Sequence, residues 1–329
     1  MLVLAGDIGG TKTRLGLFEV ASGQLAPGTE KTYASAAYAT FDELAAGFVA
    51  ETGARCERAA FGIAGPIEGR RVHTTNLPWL IDADALEQRL GIGRVRLLND
   101  LEATAWGLGD LGADDLTVLQ EGRKDAAGNR AVIAAGTGLG EAGLLWDGGT
   151  YRPFATEGGH GSFAPSGEDE VGLLRFLALR FGHVSWERVL SGPGLVNVFE
   201  FVLARRGETK PEWLETAMRE RDAAAVVVET ARARRHPVCV EAVELFVGLY
   251  GSEAGNLALH HMATGGIFVA GGIAPKILDF LTASPAFRTA FAAKGRLREL
   301  LEAIPIRVVL NDRAPLLGAA RAALADGAS

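Results

Sequence analysis

An aspartate followed by a glycine turn is the first arrangement in the chain that can do chemistry. Asp7 ends a short apolar strand. The turn that follows, before a second apolar strand, contains Gly9, Gly10 and Thr11. Glycines leave room for another group, and consecutive backbone N–H groups in such a turn can surround a phosphate. Asp7 is then placed to hold a metal ion beside that phosphate. The same residues also fit an ordinary hairpin with a surface aspartate.

A second glycine turn has the same pattern in the other half of the chain. Residues 131–135 form an apolar run, Thr137 and Gly138 lie in the turn, and residues 139–146 form another apolar run. One short glycine pattern recurs by chance, but two hairpins, each near the head of one half, favour a duplicated fold. We therefore expect a nucleotide to bind between two similar halves.

A carboxylate follows another predicted strand. Asn99 and Asp100 come directly after the apolar-rich residues 95–98. Ligands of open α/β sheets bind beyond the carboxyl ends of the strands. There Asp100 could accept a proton from a substrate hydroxyl during phosphoryl transfer. It could equally cap the helix that follows, and the spacing alone leaves both roles open.

A glycine-rich loop carries a glutamate and a histidine. Glu157 and His160 flank Gly158 and Gly159, and Gly161 follows. Carboxylate and imidazole groups can bridge neighbouring hydroxyls, which suits a polyhydroxyl substrate. A metal site is the alternative, because the two side chains are three residues apart, but further ligand-type residues do not accompany them.

Two weaker features are a glutamate and a late glycine pair. Glu187 lies one helical turn ahead of Ser191, and on its own it fits a solvated helix glutamate. Gly271 and Gly272 lie in a turn from strand to helix, where a flat ring such as adenine could rest on bare backbone. A plain tight turn is the alternative for that glycine pair.

These residues need strands and helices to position them. Three strands, the third at residues 31–35, are followed by helices and strands in alternation, which predicts a mostly parallel sheet with helices on its faces. Thr40 and Asp82 are predicted to cap helices that end near Thr52 and Leu90. Further helices are predicted at residues 168–181, 185–190, 211–219, 239–262 and 315–324. Another helix is predicted to begin at Ser191-Gly192-Pro193-Gly194, one more follows Pro275, and a last strand is predicted at 306–309. We expect the final helix to pack on the first domain.

Composition excludes several classes of protein. The 329 residues suffice for two domains with full cores. A net charge of -7 argues against a nucleic-acid binder that works by electrostatics. Cys56 and Cys239 are the only cysteines, too few for a disulfide framework or a cysteine-rich zinc site. No apolar run approaches the length needed to cross a membrane, so we expect a cytoplasmic protein without a membrane partner.

Taken together, the motifs resemble the bacterial glucokinase family, within the superfamily of sugar kinases, actin and heat-shock ATPases. The resemblance extends from about residue 3 to residue 318, and residues 183–194 are its most specific part. The other segments that carry it are Gly6-Asp7-Ile8-Gly9-Gly10-Thr11, Ala64-Gly65-Pro66, Asn76-Leu77-Pro78-Trp79, Leu98-Asn99-Asp100, Gly136-Thr137-Gly138-Leu139-Gly140, Glu157-Gly158-Gly159-His160 and Ala270-Gly271-Gly272-Ile273. The chain lacks the cysteine-rich zinc motif of the related repressor-and-kinase group, and so resembles the zinc-free kind.

The resemblance implies an α/β fold of two ribonuclease-H-like domains, as in actin-like ATPases, with a cleft between them. Residues 1–110 plus about 304–329 would form a small α/β domain. Residues 111–303 would form a large α/β domain enlarged by extra helices. The resemblance also implies a homodimer.

The implied activity is ATP-dependent transfer of the γ-phosphoryl group to the 6-hydroxyl of glucose, with Mg²⁺, giving glucose 6-phosphate and ADP. Asp100 would be the general base. The residues that would hold the sugar are Asn99, Asp100, Glu157, His160 and Glu187. The residues that would meet the nucleotide are Asp7, Gly9, Gly10, Thr11, Thr137, Gly138, Gly271 and Gly272. Asp7 would hold the magnesium ion, directly or through water.

Other functions remain to be separated from this one. A kinase for mannose, fructose or an amino sugar would share the same motifs, because the difference lies in loop shape around the 2-hydroxyl. A non-catalytic sugar-sensing protein is a further alternative, and a sugar-sensing repressor of this fold would need a helix-turn-helix ahead of the first strand. The sequence leaves open whether ADP or polyphosphate replaces ATP as the donor.

Overall fold

The computed structural model describes residues 1–21 and 23–325, and these residues form fourteen strands and twelve α-helices. The strands are β1 (Leu2–Ile8), β2 (Lys12–Ala21), β3 (Gln24–Ala34), β4 (Arg58–Ile63), β5 (Ile67–Glu68), β6 (Arg71–His73), β7 (Leu80–Asp82), β8 (Arg94–Asn99), β9 (Leu116–Gln120), β10 (Arg130–Ala135), β11 (Leu139–Trp146), β12 (Tyr151–Thr156), β13 (Gly266–Ala270) and β14 (Ile306–Val309). The helices are α1 (Phe41–Thr52), α2 (Ala83–Leu90), α3 (Asp100–Gly107), α4 (Glu168–Phe181), α5 (Gly192–Arg205), α6 (Glu212–Glu220), α7 (Ala223–Arg232), α8 (Pro237–His261), α9 (Leu278–Ala283), α10 (Ala286–Ala292), α11 (Arg298–Glu302) and α12 (Ala314–Leu324).

The chain divides into two compact units. Unit 1 consists of Met1–Ala113, Arg152–Ala155 and the chain from Asn311 on. Unit 2 consists of Asp114–Tyr151 and Thr156–Leu310. Unit 1 is therefore assembled from distant parts of the sequence.

The sheet of unit 1 has helices on both faces. Its strand order is β3-β2-β1-β4-β8, with β1 antiparallel to β2 and parallel to β4, and β4 parallel to β8. Successive side chains of a strand point to opposite faces. Leu4 of β1 accordingly packs in a cluster with Phe41 and Phe48 of α1. Its neighbour Val3 packs in another cluster, with Ala103 of α3 and Ala322 of α12. The strands β5, β6 and β7 form a separate small sheet.

Helices α3 and α12 cross at very short range. A Cβ added to Gly318 of α12 would lie 1.7 Å from the carbonyl oxygen of Ala103, and one added to Gly107 of α3 would lie 2.1 Å from that of Ala314. Only glycine fits at both positions. The backbones of the two helices are therefore in direct contact, and the predicted packing of the last helix on the first part of the chain is confirmed.

The sheet of unit 2 repeats the arrangement of unit 1. Within unit 2 the strand order is β11-β10-β13-β14-β9, with β10 antiparallel to β11 and parallel to β13, and β13 parallel to β14, as β2-β1-β4-β8 are arranged in unit 1. Strand β9 is added antiparallel to β14. The long helix α8 is apolar around most of its circumference, as expected of a helix buried in the core. The repeated order agrees with the duplicated fold that the two glycine hairpins predicted.

Short sequence patterns predicted where several helices and strands begin or end. The hydroxyl of Thr40 accepts the N–H of Glu43 at 3.2 Å, and Asp82 Oδ1 accepts that of Asp84 at 2.9 Å, so both predicted caps are confirmed. Helix α4 and strand β14 have the predicted bounds. Strand β3 is longer than predicted, because it extends from Gln24 along the whole of β2.

Several elements were predicted wrongly or missed. The helix predicted at 185–190 is only a 3-10 turn, Trp186–Arg188, because Ser191 has an extended backbone as the N-cap of α5 and no full helix fits before it. Helix α7 was missed, since its run of alanines and valines has no polar face to mark the helical period. Helices α10 and α11 and the small sheet β5–β7 were also missed.

Two exclusions made from composition can be compared with the structure. Cys56 and Cys239 are buried free thiols, and burial raises the pKa of Cys56 to about 11 and that of Cys239 to about 12. A thiol with so high a pKa is a poor nucleophile and metal ligand. Within residues 1–21 and 23–325, no helix is both long and apolar enough to span a bilayer.

Candidate active site

The first glycine hairpin, in unit 1, presents backbone donors. The N–H of Gly9 closes the turn on the carbonyl of Lys12 at 3.0 Å, and the Ser35 hydroxyl donates to the carbonyl of Gly9 at 2.8 Å. In the described part of the chain, no acceptor is hydrogen-bonded to the N–H of Gly10 or of Thr11. Both groups lie in an accessible turn, so they can bind an anion such as a phosphate.

Asp7 lies at the base of this hairpin, where its charge is poorly compensated. Burial raises the pKa of Asp7 to about 6, although Arg14, its partner across β1 and β2, lowers it. The Arg14 guanidinium is hydrogen-bonded to Asp312, at 2.9 Å from Nη2 to Oδ2. A buried carboxylate in this state gains from a nearby cation. An oxygen ligand of this kind, beside a phosphate-binding turn, fits Mg²⁺.

Asn99 and Asp100 occupy the junction of β8 and α3. Asn99 Oδ1 accepts the N–H of Leu101 at 2.9 Å, so Asn99 is the N-cap of α3 and Asp100 is its first residue. The capping role that the sequence left open for Asp100 is therefore wrong. Asp100 Oδ1 also accepts the N–H of Leu101 at 2.9 Å, which orients the carboxylate. A carboxylate in the first turn of a helix is stabilised by the helix dipole.

The sheet of unit 1 brings Asp7 and Asp100 to the same edge. Asp7 lies opposite Gly62 of β4, whose neighbour Ile63 lies opposite Asn99 of β8. A Cβ added to Gly62 would lie 3.9 Å from the Cα of Asp100. Only the end of β4, at Gly62, thus lies between the candidate metal ligand Asp7 and the candidate base Asp100.

The second hairpin, in unit 2, is held by a distant segment. The N–H of Leu139 donates to Glu187 Oε2 at 3.0 Å, and the N–H of Gly192 donates to the carbonyl of Gly136 at 2.8 Å. These two partners, Glu187 and Gly192, lie in the 3-10 turn Trp186–Arg188 and at the first residue of α5. Among the residues that can be described, none accepts the N–H of Thr137 or of Gly138. This hairpin therefore also offers two donors to an anion.

The glycine pair at 271 and 272 lies against the second hairpin. Gly271 has a φ of 83°, and a Cβ there would lie 2.5 Å from the carbonyl oxygen of Ala135. Tyr250 of α8 fixes the same place, since its hydroxyl accepts the N–H of Ala135 at 3.1 Å and lies 3.3 Å from the carbonyl of Ala270. The result is an exposed strip of bare backbone beside the hairpin, at Gly271 and Gly272.

The Glu157–His160 loop joins the same part of unit 2. Glu157 Oε2 and His160 Nε2 are 3.8 Å apart, and their side chains are 63% and 62% exposed. The N–H of Trp186 donates to the carbonyl of Gly161 at 2.9 Å, which ties the loop to the segment that carries Glu187. The metal alternative has no support, because the described chain contains no group of three or more His, Cys, Asp or Glu residues suited to a metal ion.

The structure therefore collects the predicted residues in two sets. Unit 1 brings together Asp7, Gly9, Gly10, Thr11, Asn99 and Asp100. Unit 2 brings together Thr137, Gly138, Glu157, His160, Glu187, Gly271 and Gly272. Each set has groups for binding an anion, and the exposed polar pair suited to hydroxyls is in unit 2.

Sequence reasoning missed the residues that hold these loops in place. Ser35 and Tyr250 were not singled out, and Ser191 was predicted only as the start of a helix. The Ser191 hydroxyl accepts the N–H of Gly194 at 2.9 Å and donates to the carbonyl of Glu187 at 2.8 Å. The sequence Ser191-Gly192-Pro193-Gly194 predicts a helix start, and α5 confirms it with Ser191 as its N-cap. Tyr250 gave no signal, because it lies within the continuous apolar pattern of α8.

The chain is similar to known proteins along nearly its whole length. The family model described as Glucokinase matches residues 4–326. A protein named glucokinase from Synechocystis sp. is 41% identical over 96% of this chain and 96% of its own length. A solved glucokinase from an Antarctic psychrotroph has a TM-score of 0.87 at 30% identity, over 98% of both chains.

A more distant solved structure extends the comparison of folds. The ROK family glucokinase from Streptomyces griseus, in complex with glucose and AMPPNP, has a TM-score of 0.64 at 24% identity, over 98% of this chain and 99% of that one. The predicted α/β fold of the actin-like ATPase kind is confirmed by these neighbours. Since the family model and a 41% identical relative both cover almost the full length, the chain belongs to the glucokinase family.

Proposed function

We propose that this chain is an ATP-dependent glucokinase, which transfers the γ-phosphoryl group of ATP to the 6-hydroxyl of glucose and releases glucose 6-phosphate and ADP. The family membership supports a hexose kinase. The observation that carries the proposal in this chain is the joining of the exposed Glu157–His160 pair to an anion-binding hairpin within unit 2. A sugar and a nucleotide are the ligands that suit these two features.

The sugar would be held through its hydroxyls. Glu157 and His160 are exposed and close enough to contact neighbouring hydroxyls. Glu187 Oε2 receives the N–H of Leu139, so Oε1 is the oxygen that would accept a sugar hydroxyl. Asn99 and Asp100 of unit 1 would complete the set of sugar ligands. Carboxylates and amides that hydrogen-bond hydroxyls discriminate strongly against analogues that lack them.

Asp100 would act as the general base on the 6-hydroxyl. The transition state of phosphoryl transfer is loose, so the proton need move only late, and a carboxylate of ordinary basicity suffices. The hydrogen bond from Leu101 holds the carboxylate at the start of α3. Much of its effect would be orientation of the attacking oxygen in line with the phosphorus.

The phosphate chain would be bound by backbone donors of both hairpins. The open N–H groups belong to Gly10, Thr11, Thr137 and Gly138. Donors fixed in advance stabilise negative charge without reorganisation during the reaction. Asp7 would hold Mg²⁺, which supplies neutralisation of the phosphate charge when it is bound. The bare backbone at Gly271 and Gly272 would face the adenosine.

Three further assignments belong to this proposal and are supported by the family resemblance. Residues 1–110 with about 304–329 would be the small domain, and residues 111–303 the large one. The enzyme would be a homodimer, which light scattering on the eluting protein tests directly. It would act in the cytoplasm.

A phosphorylation assay across sugars and donors tests the function. Glucose, mannose, fructose, glucosamine and N-acetylglucosamine are compared with ATP and Mg²⁺, and ADP and polyphosphate then replace ATP. We expect glucose to lead in kcat/KM by about tenfold or more, which corresponds to about 1.4 kcal/mol of discrimination in the transition state.

Each other outcome of this assay has a definite meaning. If another hexose leads, the kinase chemistry stands and the glucose assignment is wrong. If another donor leads, the ATP assignment is wrong. If no sugar is phosphorylated with any donor, the protein is not a kinase for these sugars. Equilibrium dialysis with labelled glucose then tests a sugar-sensing role.

A further inference from the structure

A buried pair of carboxyl groups in unit 2 has no part in the function proposed above. Glu141 of β11 is 3% exposed and Glu253 of α8 is 4% exposed. Each of the two carboxyls acts on the pKa of the other as a hydrogen-bond partner. Neither carboxylate has a donor of its own, so this bond exists only while one of them carries a proton. At least one of the two buried carboxyls therefore carries a proton, because two negative charges side by side would repel each other.

The surroundings of the pair balance one negative charge. Lys294 Nζ donates to the side chain of Asn256 at 2.6 Å and to the carbonyl of Ser252 at 2.9 Å. Asn256 in turn donates to Glu253 Oε2 at 2.7 Å. The ammonium of Lys294 lowers the pKa of Glu253 by its charge. One cation thus faces one shared negative charge, and a second negative charge would be uncompensated.

Two other titratable groups lie near this cluster. The phenol of Tyr250, on the same helix as Glu253, is fully buried, and burial raises its pKa above the accessible range. Glu170 of α4 raises the pKa of Lys294 by its charge, against the larger effect of burial, which lowers it. Neither group supplies a second positive charge to the pair.

The pair is in contact with the loop that carries the sugar ligands. Glu141 Oε2 lies so close to Gly158 that a Cβ there would be 2.0 Å from it. The hydroxyl of Thr156 donates to the carbonyl of Glu141 at 3.1 Å and accepts the N–H of Gly158 at 3.3 Å. Glu141 Oε1 is buried, and no donor among the described residues hydrogen-bonds it. The Glu141 carboxyl therefore packs against the turn at Gly158.

We propose that Glu141 and Glu253, through the proton that they share, are positioning residues that hold the Gly158–His160 turn and so set the geometry of Glu157 and His160 toward the sugar. This inference rests on the proposed function, because it takes Glu157 and His160 as sugar ligands. When the shared proton is lost, two negative charges lie side by side in a buried place and repel each other. Glu141 then moves against Gly158, and the sugar ligands leave their binding geometry.

The shared proton is lost within a pH range that experiments can reach. Burial raises the pKa of both carboxyl groups well above the usual carboxyl range. The protonated pair is therefore present at slightly acid pH and is lost as the pH becomes alkaline. Sugar binding should weaken over that interval, whereas nucleotide binding should not.

The test is the pH dependence of the two Michaelis constants. Between about pH 6 and pH 9, we expect the KM for glucose to rise by about fivefold or more, the usual lower end of a coupling between two sites, while the KM for ATP changes little. In Glu141→Gln, the amide donates a permanent hydrogen bond to Glu253 and no shared proton is needed. We therefore expect its KM for glucose to be nearly independent of pH.

A matched variant on the same helix controls for general effects of charge. Glu244 of α8 is exposed, and Glu244→Gln should keep the pH profile of the wild type. Glu253→Gln carries the same expectation as Glu141→Gln, so it serves if the latter does not fold. A wild-type KM for glucose that is constant with pH, or variants that retain its rise, would overturn the proposal.

Amide hydrogen exchange separates this inference from the kinase assignment. The N–H groups of His160 and Gly161 close the turn on Glu157 and Gly158, at 3.0 and 2.8 Å. After correction for the intrinsic pH dependence, their exchange should accelerate at alkaline pH in the wild type and not in Glu141→Gln. This readout needs no activity. If the chain phosphorylates no sugar but the exchange behaves in this way, the proposed function has failed and the positioning of the turn stands. Exchange that is alike in both proteins overturns the positioning.

Discussion

The two glycine hairpins share a sequence pattern but are supported in different ways. The first is braced by a neutral hydroxyl, that of Ser35 at the end of the adjacent strand region. The second is braced by the carboxylate of Glu187, which lies 48 residues from its partner Leu139. A hydrogen bond to a charged group is stronger than one between neutral groups. The second hairpin therefore depends more on its brace.

The difference between the hairpins has a chemical consequence. In unit 1 the brace of the hairpin is separate from Asp100, the candidate base. In unit 2 the brace is Glu187, which is also a candidate sugar ligand. One carboxylate thus contacts the hairpin backbone and, in the proposed complex, the sugar. Binding of the phosphate chain and of the sugar should be physically linked in unit 2 and independent in unit 1.

The largest expected effect is on kcat, when the candidate base of unit 1 is removed without a change in nucleotide binding. Asp100→Ala should lower kcat by a factor of about 10² to 10⁴, the usual contribution of a general base, while the KM for ATP stays near that of the wild type. Steady-state kinetics measures both constants. Asp84→Asn, which changes an exposed carboxylate in the first turn of another helix of unit 1, is the control and should leave both unchanged. A near-normal kcat for Asp100→Ala would remove Asp100 from the chemistry.

A smaller effect tests whether Glu187 links binding of the sugar to binding of the phosphate chain in unit 2. Glu187→Ala leaves the N–H of Leu139 without its acceptor, a loss of about 1–3 kcal/mol, so KM should rise about tenfold for ATP as well as for glucose. Ser35→Ala in unit 1 removes a neutral bond, worth about 0.5–1.5 kcal/mol, and should affect ATP alone. Glu187→Gln keeps an oxygen for Leu139 and should restore the KM for ATP. If Glu187→Ala changed the KM for glucose only, the hairpin and the sugar site would not be linked.

The smallest effect concerns stability and the buried pair behind the sugar loop. The pKa of Glu141 and of Glu253 is raised in the folded protein. At a pH just above the usual carboxyl pKa, the native state therefore holds more protons than the unfolded state. This contribution to stability is lost as the pH rises through the raised pKa values. From about pH 5.5 to pH 8.5, the free energy of unfolding of the wild type should fall by about 1 kcal/mol relative to Glu253→Gln. Urea unfolding at both pH values measures it, and equal changes in the two proteins would contradict it.

What the sequence predicted well depends on neighbours in the chain. The turns at Gly9 and Gly138 and the caps at Thr40 and Asp82 each require only a few consecutive residues. Glycine and short polar side chains have strong local preferences for such positions. The edge of the unit 1 sheet was also predictable, since parallel strands end on the same side and so bring Asp7 and Asp100 near each other.

What the sequence did not predict depends on contacts between distant segments. The hydrogen bond of Glu187 with Leu139, the hydroxyl of Tyr250 under Ala135 and the pair of Glu141 with Glu253 each join residues that are far apart in the chain. No local pattern records such a contact.

The direct contact between α3 and α12 also sets an order of events during synthesis of the protein. Helix α3, which begins with Asp100, ends at Gly107, whereas α12 begins at Ala314. At the usual 5–20 residues per second, a ribosome adds α12 about 10 to 40 s after α3. Until then the nascent chain lacks the helix against which α3 packs. A newly made chain therefore completes the neighbourhood of its candidate base only after α12 has been synthesised.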